Sequence, residues 1–411
     1  MSRRSSYGYP SYGSHQYRPG GYHSKNKQHN IKSIVIAVIL VIVLLMCAAS
    51  VFFFAILPLI SHSTSGNKTN QDKLPVTAQE SSLAEQQNVQ PSGQETPSSV
   101  SESSGNAKTE GYFDSNVFIW DHQGYEMFYG TTRSASSYAD TVSSIKQKLG
   151  KNIAVYNMVI PTHGEFVLPQ KYLDNCSDQK ENLKTIRSSC EKSGIISIDV
   201  YESLKAHSDE YTYFKTDSNW TALGAYYSYL EFCKAANVKE IGIEKLTKGS
   251  INNFQGSLMS ATKTDSDKKG NKELLANPDT VVYYNIPIDY SCILMEKGKT
   301  DEQEVPMIAT FAEGSNAYSA FIWGDNPYMK ITVPGNKTGR KLCIIKDSYG
   351  CAFVPFTAAS FDEIYIIDPR YYIGNIIDYI KKNKYTDVLV INSIMSANTD
   401  IRIDELRSVI S

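Results

Sequence analysis

The stretch LCIIKDSYGCAFVPFTAAS, Leu342 to Ser360, reads as an apolar strand, a polar turn and an apolar helix. Leu342 to Ile345 offers no polar face, which is how a strand covered on both sides in a parallel sheet reads. Lys346-Asp347-Ser348-Tyr349-Gly350 then reverses the chain at the carboxyl end of that strand, the edge at which open α/β sheets gather their binding sites. A serine there is held as a nucleophile would be held. The plainer alternative is that Asp347 or Ser348 caps the following helix.

The same alternation runs outward from this segment. Ile153–Ile160, Ile195–Asp199, Ile364–Asp368 and Val388–Asn392 are further strand candidates. Spacings of three and four predict helices on Tyr138, Val142, Ile145 and Leu149, on Trp220, Leu223, Tyr227 and Leu230, and on Ile373, Ile376, Ile377 and Ile380. Strands alternating with helices predict an α/β fold with a mainly parallel sheet between two helical layers. From about Gly249 to Pro334 the pattern loosens into a polar insertion with short strand-like pieces such as Val281–Asn285.

The first quarter of the chain reads differently. Ile34–Ile60 is almost continuously apolar and carries no charge, longer than the roughly 7 to 15 apolar residues of a cleaved signal and enough to span about 30 Å of hydrocarbon. Arg3, Arg4, Arg18, Lys25, Lys27 and Lys32 precede it with no acidic residue, which predicts a cytoplasmic N-terminus. The expected organisation is a disordered cytoplasmic tail over 1–32, a transmembrane helix over 33–60, a Ser/Gln/Glu-rich linker over 61–111 and one extracytoplasmic domain over 112–411.

A net charge of -2 supplies no basic field for nucleic acid, so no such partner is expected. Cys176, Cys190, Cys233, Cys292, Cys343 and Cys351 fall in the outer domain, where disulfides can persist, but the sequence leaves their pairing open. Cys343 and Cys351 sit where small hydrophobes pack. None of the six forms a cluster with metal-ligand spacing, and no metal or cofactor is expected.

A second polar turn, Thr216-Asp217-Ser218-Asn219-Trp220, leads into the aromatic-rich helix. Thr216 or Asp217 as a simple helix cap is the plain reading. In order along the chain stand TDSNWTALGAYY from Thr216, FQGSL from Phe254, FIWGDNP from Phe321, IIKDSYGCAFVPF from Ile344, DEIYIIDPRYY from Asp362 and DVLVIN from Asp387. Together these segments resemble the DHHW family of bacterial exported proteins, which belongs with the SGNH hydrolase-like domains of alginate O-acetylation proteins.

The resemblance implies an SGNH hydrolase-like three-layer sandwich and assigns roles. Relatives that transfer acetyl groups use the Asp and second His of an Asp-His-His-Trp motif with a later serine. Carried across, Ser348 takes the nucleophile position, Asp217 the position that orients the base, and Asn219 the position of the histidine. An asparagine amide cannot accept and return the serine proton as imidazole does. His163, in the loop after Ile153–Ile160, is the candidate replacement base, against the ordinary reading of a hydrogen-bonded loop histidine. The expectation is a membrane-anchored surface domain that has lost its catalysis and binds or scaffolds a cell-surface polysaccharide. The alternative is an active serine O-acetyltransferase or esterase, supplied by a membrane acyl-donor partner.

Overall fold

The computed structural model describes residues 110–411. The tail and transmembrane helix expected over 1–60, and all of the linker before Glu110, lie outside the described residues. No helix among the described residues is long and apolar enough to cross a membrane.

The chain forms an eight-stranded sheet in the order Ile196–Ile198, Ala154–Ile160, Asp387–Ser393, Lys341–Lys346, Glu363–Ile367, Tyr328–Thr332, Ser291–Met295, Glu302–Glu304. The first five strands are parallel and the last three antiparallel. Alternation along each central strand divides the core. Leu342 and Ile344 join one cluster with Phe232, Phe353 and Trp220, while Cys343 and Ile345 join another with Tyr138, Val142 and Ile403. Successive side chains point to opposite faces, so a strand that is apolar throughout needs both helical layers.

The insertion expected from about Gly249 to Pro334 carries strands, and the structure shows where they pair. Three of its strands continue the main sheet in antiparallel sense, and another piece forms the hairpin of Thr247–Phe254 with Asp279–Asn285. Two helical readings need correction. The helix after Trp220 is Ala222–Ala236, capped by Thr221, whose hydroxyl accepts from the backbone of Leu223 and Gly224, so neither Thr216 nor Asp217 caps it. Its buried face is Ala225, Tyr226, Tyr229, Phe232 and Cys233, with Leu223, Tyr227 and Leu230 only half-buried, because the helix begins later than the pattern from Trp220 implied. Ile373 is 95% exposed in a loop, and the helix it was grouped with starts at Ile376. All six described cysteines are free thiols, five of them buried.

Candidate functional site

The turn after Lys341–Lys346 is shaped by Asp347. Its carboxylate accepts from Tyr349 N (3.0 Å) and from Ser393 N (2.8 Å), which ties the turn to the end of the neighbouring strand. Burial pushes the Asp347 carboxyl up, against the hydrogen bonds from residues 393 and 396. The helix Gly350–Thr357 has no side-chain cap, so neither Asp347 nor Ser348 is spent on that role. Ser348 is half-buried.

Beneath this turn lie the charges of three separate motifs. Lys346 is 1% exposed, and its Nζ meets Asp325 Oδ1 at 2.9 Å and Asp368 Oδ2 at 3.6 Å. Arg370 pairs with both carboxylates. A buried ammonium without such partners would be driven to neutrality, so the cluster sets where the strand can end. Asp325 is delivered by a strained turn, with Ile322 at φ +45° and Trp323 at φ +63°, a conformation that a β-branched residue rarely adopts.

The second polar turn is fastened directly to the first. Trp220 is fully buried and its Nε1 donates to Tyr349 O at 2.8 Å, while the Tyr349 hydroxyl donates to Ser218 O. Tyr318 Oη donates to Ser348 O at 2.9 Å. The structure thus brings the Asp217–Asn219 segment and Ser348 to one place, although 131 residues separate their motifs.

Within that place Asp217 is held from three sides. Its Oδ1 accepts from Asn219 N (2.8 Å) and from Asn219 Nδ2 (2.7 Å), and its Oδ2 accepts from Ser257 N (2.6 Å). The glycine of FQGSL has a steric reason: a Cβ on Gly256 would lie 2.3 Å from Asp217 Cβ. Asn219 therefore does half of what a histidine does at its position. It donates to the carboxylate, but its Oδ1 is buried without a hydrogen-bond partner, and no second ring nitrogen continues toward a hydroxyl.

His163 is placed elsewhere. Its ring stacks on Tyr213 (centroids 5.0 Å apart) and packs against Tyr125 (5.4 Å), and it makes no hydrogen bond to Ser348, Asp217 or Asn219. Burial pushes its pKa down to about 4, so it is neutral at pH 7, with Nδ1 unpartnered.

Two residues that belong to this site escaped the sequence reading. Asp279 accepts from the backbone of Lys215 (2.9 Å) and Thr216 (2.8 Å) and from the hydroxyls of Thr216 and Tyr211, which pins the loop that carries Asp217. Glu126 lines a cleft of about 380 Å³, and burial, then the charges of Asp217 and Asp347, raises its pKa to about 7. It follows the strand Gln123–Tyr125, whose Gly124 N donates to Lys215 O at 2.8 Å. That strand is reached through a two-residue hairpin turn with Asp121 and His122 both at positive φ. A lone Glu after a short strand carried no local signal.

This architecture, a mixed α/β fold whose sheet is parallel at its centre with Ser348 at a strand end, resembles that of Bacillus cereus PatB1, at 20% identity and a TM-score of 0.58 over 72% of this chain and 99% of that one. The DHHW protein family model matches residues 69–367. A DHHW family protein from Eubacterium siraeum is 32% identical over 73% of this chain and 98% of that one, with a TM-score of 0.65. The chain belongs to the DHHW family. Comparison with curated proteins gives no match.

Proposed function

We propose that this DHHW protein is a membrane-anchored surface domain that holds a cell-envelope polysaccharide on an SGNH hydrolase-like scaffold and has lost histidine-assisted acyl transfer. The anchor is the apolar run Ile34–Ile60, with the N-terminus cytoplasmic. The observation that carries the reading is Asn219, which satisfies Asp217 and leads no further. Removing the base from a serine triad has cost on the order of four to six decades of rate elsewhere.

The test is covalent labelling with a serine-reactive fluorophosphonate, alongside glycan binding. Native chain and Ser348→Ala are expected to label equally weakly while binding a surface polysaccharide. Strong labelling that vanishes in Ser348→Ala would remove the loss of catalysis from this reading. Protease added to intact cells is expected to release the outer domain and spare the tail; a protected domain reverses the topology.

Glu126 favours a second reading, an active serine O-acetyltransferase or esterase fed by a membrane acyl donor. A carboxylate with a pKa near 7, beside the segments that carry Asp217 and Ser348, has the proton affinity that a general base needs at neutral pH. On this reading Ser348 labelling rises with pH through about 7 and disappears in Glu126→Gln. Labelling that is absent or flat with pH speaks against it.

Glu126 also makes a stability prediction that holds on either reading. Its folded pKa lies above the ordinary carboxylate value, so the native chain binds the proton more tightly than the unfolded one. Its contribution is present in acid and is lost as pH rises through about 7. Glu126→Gln is therefore expected to raise the Tm at pH 8 by about 2–4 °C and to leave it unchanged in acid. Equal shifts at both pH values would show that the carboxyl is not strained.

A further inference from the structure

An exposed aromatic pair stands beside the Ser348 turn, and nothing in the proposed acyl chemistry uses it. Phe311 is 66% exposed, and its ring meets that of Trp323 with centroids 5.0 Å apart and planes 67° apart. Trp323 is half-buried, and its indole N–H donates to Pro306 O at 2.8 Å, which pins the ring in one orientation. Its backbone lies at φ +63°, between Ile322 at φ +45° and Gly324 at φ +77°, in the left-handed region that glycine takes without strain and a tryptophan does not. Asn326 Nδ2 donates to Trp323 O at 2.8 Å and Gly324 N to Phe321 O at 2.9 Å, which holds the turn in that shape. An aromatic pair held this firmly is a preformed contact surface, because little freedom remains to be lost when a ligand settles on it.

The fold sets this pair at the edge of the candidate site. Tyr328 pairs with Ile367, the last residue of the strand Glu363–Ile367, so the chain just before Tyr328 lies at the carboxyl ends of the central strands, where Ser348 stands. Asp325, two residues after Trp323, meets Lys346 Nζ at 2.9 Å, and Gly324 O accepts from Cys351 Sγ at 3.4 Å. Tyr318, from the same segment, donates to Ser348 O. Residues 318–325 thus touch the chain before, at and after Ser348, and Trp323 is carried on that brace.

The extent of the patch narrows its occupant. An aromatic side chain buries about 150–250 Å², so two rings fall short of the roughly 800 Å² that each partner of a stable protein interface covers. Thr310, Glu313, Ser315 and Asn316, the exposed residues around Phe311 in the chain, are polar, so the apolar area does not widen there into a face for a second copy or a bilayer. The charged group among them is Glu313, which offers nothing to a polyanion. A neutral pyranose matches in size, with a flat face of C–H groups for an aromatic ring and a rim of hydroxyls for the polar surround. Rings in β-1,4 linkage with equatorial hydroxyls present that C–H face most fully.

Resting on the polysaccharide-binding reading, we infer that Phe311, braced by Trp323, is the stacking platform for one neutral β-linked pyranose unit of the polysaccharide beside the Ser348 turn. The full chain, in a detergent without a sugar head group, would be titrated with β-1,4-linked hexamers of glucose and of N-acetylglucosamine while acrylamide quenching of tryptophan fluorescence is followed. Of the three tryptophans Trp120 and Trp220 are buried, so Trp323 dominates the accessible signal.

Both hexamers are expected to shield Trp323 from the quencher, and Phe311→Ala to weaken their binding by about five- to tenfold. Because the Phe311 ring is mostly exposed, its loss is expected to leave the Tm within about 2 °C of native, which separates lost binding from lost structure. Binding unchanged in Phe311→Ala, or native chain that binds an extracted cell-envelope polysaccharide but neither hexamer, overturns the platform and leaves the wider reading standing. Self-association of native chain that Phe311→Ala abolishes also overturns it, giving the patch to a second copy. Failure of native chain to bind any cell-envelope polysaccharide overturns both.

Discussion

Asn219→His is expected to raise hydrolysis of a chromogenic acetyl ester by about 10²–10⁴-fold over the native chain. Asn219 Nδ2 already stands 2.7 Å from Asp217 Oδ1, where the proximal N–H of an imidazole would donate. The Asp217 carboxylate is preset by Ser257 N and by Gly256, so a ring placed there would be oriented without rearranging its support. What the amide lacks is reach: its free end is the unpartnered Oδ1, whereas an imidazole continues to a second nitrogen able to take the serine proton. The gain is expected to vanish when Ser348→Ala is added, and to fall by a comparable factor with Asp217→Asn. A folded Asn219→His chain with no gain in turnover would show that Ser348 is not poised for attack, and that more than the base has been lost.

Asp279→Ala is expected to lower stability by about 3–5 kcal/mol, measured by urea unfolding of the purified chain. This carboxylate is 1% exposed and gathers four donors, two of them backbone N–H groups that no other described acceptor satisfies. Removing it leaves those donors buried and unpaired and releases the segment from Tyr211 to Asp217. Asp279→Asn, which keeps the shape but turns an N–H₂ toward donors, is expected to fall between native and alanine. A loss under about 1 kcal/mol would mean that the loop is held by Trp220 and Tyr349 alone.

These two residues mark the limits of what a sequence discloses. Asn219 was legible because it breaks a motif at a position whose neighbours, Asp217 and Trp220, are kept, and because an amide and an imidazole differ in chemistry whatever surrounds them. Asp279 was not legible. It sits in the polar insertion, 62 residues beyond Asp217, and its role depends on a hairpin folding back over the loop it anchors. Glu126 is of the same kind: its proton affinity comes from neighbours that are distant in the chain.

The sequence alone disclosed the central strands, because short apolar β-branched runs that alternate with helical periods need cover on both faces, as a mainly parallel sheet between two helical layers provides. It also disclosed the two polar turns, one at the carboxyl end of a strand and one at the start of a helix, and the absence of an imidazole from the motif. Only the tertiary structure decided that those turns meet, through Trp220, Tyr349 and Tyr318, and that the insertion lengthens the main sheet rather than standing apart. The helix phase after Trp220 and the free state of the six cysteines were likewise settled there. Local periodicity records which side of an element is apolar. Which elements face each other, and which charges they thereby bury together, depends on contacts between residues far apart in the chain.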